Sequence, residues 1–265
     1  MEAATEKKAV NVTPAKARKI KTVAVLGAGV MGSRIAMHYA NIGLKVFLLD
    51  IVTPGLSEAD AAKPALRNKK VNDELAFALK SNPSPIYNKE FVSRITTGNL
   101  EDNLSWIKNA DWVIEVVVER LDIKQQLFEK VEKFRKPGTL ITSNTSGIPI
   151  HLMAEGRSDD FRAHFCGTHF FNPPRYLRLL EIIPTPNTDS EIVDFLMHYG
   201  DKFLGKTTVL CKDTPAFIAN RVGVYSIMSL LHLVEKMDLT VEEVDKFTGP
   251  VLGRPKSATF RTGDV

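Results

Sequence analysis

From residue 22 to residue 50 the apolar positions change period twice. Val23, Val25 and Leu26 form the short apolar run that a strand buried in a parallel sheet carries. Beyond a glycine-rich break, Ile35, Ala36, Tyr39, Ala40 and Ile42 recur at helical spacing, and Gly43 supplies a stop. A second apolar run, 45–50, ends on Asp50. The pattern predicts strand, tight turn, helix and second strand.

The alternation continues downstream. Pro54-Gly55 opens an alanine-rich helical stretch to about residue 80, with a kink expected at Pro64. Strands are predicted at 91–97, 111–119, 140–142, 165–171, 179–183 and 207–211. Helices are predicted at 121–134, where apolar residues recur at helical spacing, at 148–155 and at 190–203. Strands separated by helices argue for a doubly wound parallel sheet of the α/β class, with some late strands antiparallel because full crossover helices are missing. At Lys212-Asp213-Thr214-Pro215 the pattern changes to a long helix over 215–237, capped by Asp213 or Thr214. Thr240-Val-Glu-Glu243 reads as the capping box of another. Two amphipathic helices cannot enclose a core, so this second part reads as incomplete. The expected organisation is a basic arm at 1–20, a nucleotide-binding domain at 21–212 and a partial helical domain at 213–265.

Composition narrows the class. The chain is 44% hydrophobic and 25% charged, ordinary for a globular protein. Its net charge of +4 sits largely in Lys7, Lys8, Lys16, Arg18 and Lys19, a solvated arm, and gives little ground for a nucleic-acid partner. That arm has no apolar core for a secretory signal, and Glu2 and Glu6 oppose a transit peptide. No apolar run reaches membrane-spanning length. Cys166 and Cys211 form no metal-ligand pattern and suit a reducing compartment, so a cytoplasmic location is expected.

The chemistry enters with the break after the first strand, Gly27-Ala-Gly29-Val30-Met31-Gly32. Gly27 allows the sharp exit from the strand, Gly29 lets backbone approach a pyrophosphate, and Gly32 lets the helix lie tight on the sheet. Phosphates then meet the unpaired N–H groups and positive dipole of the helix start. Asp50 lies 18 residues past Gly32, where an acid takes the adenosine ribose hydroxyls and repels a 2′-phosphate. The cofactor implied is NAD.

A second cluster of candidates follows. His169 ends a predicted strand in Gly167-Thr-His-Phe-Phe-Asn172-Pro-Pro174, and Glu181 lies on the next strand. Antiparallel pairing across the Pro173-Pro174 turn would put both on one face, with the carboxylate orienting the imidazole for general-base work. A satisfied structural histidine is the plainer alternative for such a residue alone. The loop Ser143-Asn144-Thr145-Ser146 falls at the C-terminal end of its strand, where open α/β sheets bind ligands, although Ser146 also suits a helix cap.

These segments, together with Glu119, Lys124 and Lys212-Asp-Thr-Pro-Ala-Phe-Ile-Ala-Asn220-Arg221, resemble the 3-hydroxyacyl-CoA dehydrogenase family over essentially the whole chain after the arm. The resemblance implies a Rossmann-type NAD-binding domain with a partial α-helical C-terminal domain. It implies oxidation of (S)-3-hydroxyacyl-CoA to 3-oxoacyl-CoA in fatty-acid β-oxidation, with His169 as general base and Glu181 as its orienting partner. Ser146 and Asn220 would donate hydrogen bonds to the substrate oxygen, and Asn172 would line the substrate cleft. Gly27, Gly29, Val30, Met31, Gly32, Asp50, Val116, Glu119, Lys124, Asn144 and Ser146 would contact the cofactor. The variant resembles the dehydrogenase part of multifunctional proteins that carry a downstream enoyl-CoA hydratase part, so the natural chain is expected to continue past Val265. Gly147 stands where the family often has a second serine. A homodimer is the other assembly implied. Two other readings stand beside this one: an NAD-binding fragment inactive through truncation, and a dehydrogenase of another hydroxy acid. Basic residues 67–70 read as a solvated helix face in preference to a coenzyme A phosphate site.

Overall fold

The computed structural model describes residues 18–254 and 256–263. Most of the expected basic arm, residues 1–17, lies outside the described residues. The chain divides into two compact units, one reaching to Thr214 and the other beginning at Pro215.

The first unit is a single eight-stranded sheet. β1 (Thr22–Leu26) leads through α1 (Val30–Asn41) to β2 (Lys45–Asp50). Three helices, α2 (Glu58–Ala61), α3 (Pro64–Arg67) and α4 (Lys69–Leu79), precede β3 (Ile95–Asn99). The chain then returns to the other side of β1 as β4 (Trp112–Glu115), followed by α5 (Leu121–Phe134) and β5 (Leu140–Ser143). Short helices α6 (Ile150–Met153) and α7 (Asp159–Ala163) lead to β6 (Phe165–Phe170) and β7 (Leu179–Pro184), and α8 (Ser190–Lys202) leads to β8 (Thr207–Leu210). The strand order is β3-β2-β1-β4-β5-β6-β7-β8. β3 through β6 run parallel, β7 pairs antiparallel with β6, and β8 follows β7. This is the Rossmann-like, mostly parallel architecture expected, with its reversal of strand order between β1 and β4. Ligands of such sheets bind outside the strand ends at that reversal.

Strands covered on both faces are largely apolar, and Val23, Val25, Ile114 and Ile141 are wholly buried, while the polar groups the strands bury gather toward their ends, Glu115 on β4, Ser143 on β5 and His169 on β6. Trp112 stacks edge-on with Tyr39 and Tyr199, and its indole N–H is satisfied by Thr142 Oγ1 at 3.0 Å.

Several boundaries differ from expectation. The stretch after Pro54 is broken into three helices, because Pro64, without an N–H, begins a helix of its own. Lys89–Arg94 is a 3₁₀ turn, so β3 starts only at Ile95. β4 stops at Glu115, and residues 116–119 form a loop. The reason is its neighbour: β1 ends at Leu26, whose carbonyl takes the Val116 N–H at 2.7 Å, and then turns away at Gly27.

In the second unit, α9 (Ala219–Met237), α10 (Val241–Thr248) and α11 (Phe260–Gly263) follow one another. α9 begins at Ala219, not Pro215, because Ala216 and Phe217 hold left-handed φ values of 62° and 48°. Asp213 does not cap α9. Its carboxylate accepts from the Ile150 and His151 amides at 2.7 and 2.9 Å and pairs with His151 Nδ1, serving α6 instead. The capping box of Thr240 with Glu243 is present at the start of α10.

Candidate functional site

The β1–α1 turn is shaped by the absence of side chains. Gly27 has φ +105°, and a Cβ there would lie 2.5 Å from the Val116 carbonyl oxygen. A Cβ on Gly32 would fall 1.8 Å from the Gly27 oxygen, so the first turn of α1 touches the turn's own backbone. At Gly29, by contrast, a Cβ would meet nothing within 4 Å. The open side of the turn is therefore at Gly29, which is also the N-cap of α1, and no side chain caps that helix. These are the features a pyrophosphate requires: a close approach and uncapped N–H groups.

Asp50 ends β2 beside this turn. Its Oδ2 accepts from Ala28 N at 2.9 Å and Lys70 Nζ at 3.2 Å, and its Oδ1 accepts from Ile51 N at 2.7 Å. The carboxylate is thus aimed before any ligand arrives. A cleft of about 480 Å³ runs along this edge, lined by Gly27, Gly29, Asp50, Val116 and the loop beyond β4. The residues fit an adenine dinucleotide. Of the other expected contacts, Val30 is exposed on the first turn of α1 and Met31 packs partly against the core.

Three strands from β1 stands the second cluster. His169 on β6 and Glu181 on β7 occupy directly opposed register positions, so both side chains leave the same face. His169 Nδ1 lies 2.7 Å from Glu181 Oε2, and both residues are buried. With Nδ1–H donated to the carboxylate, Nε2 is the basic nitrogen, and Ser146 Oγ donates to it at 3.1 Å. Phe171 packs against the imidazole, with ring centroids 4.4 Å apart. Asn144 is turned inward, its Oδ1 accepting the Phe170 amide at 2.9 Å. Asn172 lies exposed on the following loop, and Asn220 lies in the first turn of α9, in the second unit.

Behind Ser146 is a set of charges that the periodicity alone does not single out. Glu115, wholly buried at the end of β4, meets Lys124 Nζ at 2.7 Å, and Lys124 is equally buried. The far side of Lys124 Nζ lies 3.3 Å from Glu119 Oε2. Glu119 Oε1 in turn accepts from Thr145 Oγ1, from Ser146 N at 3.0 Å and from Gly147 N at 3.1 Å. Burial acts to raise the Glu119 carboxyl, but Thr145, the Lys124 ammonium and the two amides outweigh it and hold it below the ordinary glutamate range. For Glu115 burial dominates and pushes the carboxyl up, against Lys124, Ser143 and the Val117 amide. Glu115 is the residue that sequence reasoning passed over. Its signal was a carboxylate inside the β-branched run Trp112-Val-Ile-Glu-Val-Val, which a buried strand tolerates only with partners.

The basic segment near α4 is engaged at its own surface. Arg67 pairs with Glu101 at 2.8 Å and Asp102 at 2.7 Å, and Lys70 faces Asp50 and Glu74.

Comparison with known proteins adds the following. Residues 22–214 match the family model described as 3-hydroxyacyl-CoA dehydrogenase, NAD binding domain. A Bacillus subtilis protein named "Probable 3-hydroxyacyl-CoA dehydrogenase" is 51% identical over 254 residues, which is 94% of this chain and 32% of that protein. A Deinococcus radiodurans protein of the same name is 50% identical over 247 residues, 93% of this chain and 69% of its relative. The chain therefore spans about a third of one relative and about two thirds of the other. Among solved structures, (S)-3-hydroxybutyryl-CoA dehydrogenase PaaH1 from Ralstonia eutropha superposes with a TM-score of 0.69 at 28% identity, covering 89% of this chain and 79% of that one.

Proposed function

The chain belongs to the 3-hydroxyacyl-CoA dehydrogenase family, and we propose that it oxidises the 3-hydroxyl of an (S)-3-hydroxyacyl-CoA thioester to the 3-oxo thioester with NAD as acceptor. The observation that carries this reading is the line Glu181–His169–Ser146 along one edge of the sheet, with separations of 2.7 and 3.1 Å. Gly27, Gly29 and Gly32 would cradle the dinucleotide's phosphates, and Asp50 would take its ribose hydroxyls. When bound, NAD supplies the acceptor for the hydride that leaves C3 of the substrate.

The rest is the work of side chains. His169 Nε2 takes the proton of the 3-hydroxyl, so the C3–O bond becomes a carbonyl as C3 gives up its hydride. Glu181, already on Nδ1, stabilises the imidazolium that results and keeps the ring in one tautomer. Ser146 donates to the substrate oxygen as negative charge develops there, and the family resemblance assigns Asn220 of α9 a second such bond. Asn144, Asn172, Glu119 and Lys124 complete the surroundings of the nicotinamide end.

We assign the step to fatty-acid β-oxidation, as the dehydrogenase part of a larger protein carrying a hydratase; a Rickettsia felis relative named "Putative fatty acid oxidation complex trifunctional enzyme", 39% identical over 93% of this chain, supports that reading. Buried thiols at Cys166 and Cys211 favour a reducing, cytoplasmic compartment. Among the described residues no helix is long and apolar enough to cross a membrane.

The test is to mix the protein with acetoacetyl-CoA and NADH and follow the loss of NADH absorbance. Consumption is expected. NADH binding without consumption would instead favour an inactive fragment, and neither would point to another ligand. His169→Ala should lower turnover by on the order of 100- to 10,000-fold, and Glu181→Gln should lower it by a similar or smaller factor, with NADH affinity nearly unchanged in both. Full rate in His169→Ala would remove the base.

A further inference from the structure

Glu115 and Lys124 form a wholly buried ion pair behind the turn that carries Ser146. Such a pair seldom adds net stability, since withdrawing two charges from water costs about as much as their attraction returns, and well-packed apolar residues of similar size often serve equally well. Its partners suggest a different task. Glu115 Oε1 accepts the Val117 amide at 2.6 Å and Oε2 accepts the Ser143 hydroxyl, while its backbone carbonyl takes the Asn144 amide at 2.9 Å. Glu115 therefore grips both the loop beyond β4 and the first residues of the turn beyond β5. Glu119 grips the other end of that turn, through Thr145, Ser146 and Gly147. Lys124 Nζ lies between the two carboxylates, at 2.7 and 3.3 Å. Ser146 is thus located by its amide, which leaves its hydroxyl to point at His169 Nε2.

We propose that Glu115, acting through Lys124 and Glu119, is a positioning residue that seats Ser146 against His169. The carboxylate–lysine–carboxylate clamp closes two neighbouring strand-end loops on each other and sets the distance between the hydroxyl and the imidazole. Its geometry stands by itself; its consequence for turnover rests on the reading of His169 as the base.

The experiment removes both buried charges at once, in Glu115→Leu with Lys124→Met, so that no uncompensated charge is left in the core. In the ligand-free full chain, the ring resonances of His169 are assigned by their loss in His169→Gln. They are then compared among wild type, the double variant and Ser146→Ala. The double variant is expected to melt within a few degrees of wild type and to show His169 resonances at the Ser146→Ala positions. Its kcat for acetoacetyl-CoA reduction should fall on the order of 10- to 100-fold, with KM within about twofold, because misplacement of a contact group costs rate more than binding. A folded double variant with His169 resonances at wild-type positions, or with wild-type kcat, overturns the proposal. Should the double variant not fold, Glu119→Ala on the half-exposed side of the clamp carries the same comparison, and unmoved His169 resonances there overturn it too. A wild-type chain without turnover would count against the proposed reaction while leaving the resonance comparison decisive for the clamp.

Discussion

At the scale of single residues, the buried titratable groups carry most of the information. His38 is one that the proposed reaction does not use. It is buried on α1, donates from Nε2 to the Leu204 carbonyl at 3.1 Å, and packs edge-on against Phe170. Burial, reinforced by the nearby Lys206 and Arg175 charges, lowers its pKa to about 4 against a small opposing effect of the Leu204 bond. The folded state therefore keeps His38 neutral where the unfolded chain takes up a proton. The stability this contributes is full above the ordinary histidine range, near pH 6.5, and is lost as pH falls toward 4. The whole effect is roughly 3 kcal/mol at most. His38→Gln should keep the bond to Leu204 and flatten this part of the profile; urea midpoints of both proteins between about pH 4 and 7 measure it. Parallel slopes in the two would mean that His38 is protonated in the fold. In the fold His38 meets a backbone carbonyl and His169 a carboxylate across a strand pair.

Secondary-structure elements were legible where one face alone decided them. The helix over 121–134 and the strand runs of the sheet interior follow from period and side-chain type, and α5 spans Leu121–Phe134 as expected. Boundaries set by a neighbour were not legible: β4 ends because β1 turns, and α9 starts late because Ala216 and Phe217 take left-handed conformations. The glycine turn permits a sharp prediction at this scale. Gly32→Ala would drive a methyl into the Gly27 carbonyl, 1.8 Å away, and should both destabilise the protein and abolish NADH binding. Gly29→Ala meets open space, so its melting temperature should stay within about 2 °C of wild type. Its methyl would stand where the pyrophosphate must approach, and NADH affinity should drop at least tenfold by fluorescence titration. Unchanged affinity in Gly29→Ala would move the dinucleotide away from this turn.

For the whole molecule the division at Thr214 is what matters. The first unit holds the complete eight-stranded sheet, the glycine turn, Asp50 and the His169–Glu181 pair. A chain ending at Thr214 should accordingly unfold in one cooperative transition and bind NADH within about threefold of the longer protein. If Asn220 has the role proposed for it, that shorter chain should fail to reduce acetoacetyl-CoA. Turnover by that shorter chain would strike Asn220 from the site. The share of the relatives covered, 32% in one case, bears on the same scale: most of the Bacillus protein has no counterpart here.

The amino-acid sequence by itself determined the order of elements, the glycine turn, the acid at Asp50 and the identity of the histidine strand. These are local properties: side-chain period, the special backbone freedom of glycine, and short spacings along the chain. The tertiary structure decided which groups face each other across strands distant in sequence. Glu115 meeting Lys124 and Ser143, and Asp213 serving α6 in place of the helix beside it, follow from packing that no local pattern encodes. A buried charge cannot choose its partner until the fold has excluded water around both, and that exclusion belongs to the assembled sheet.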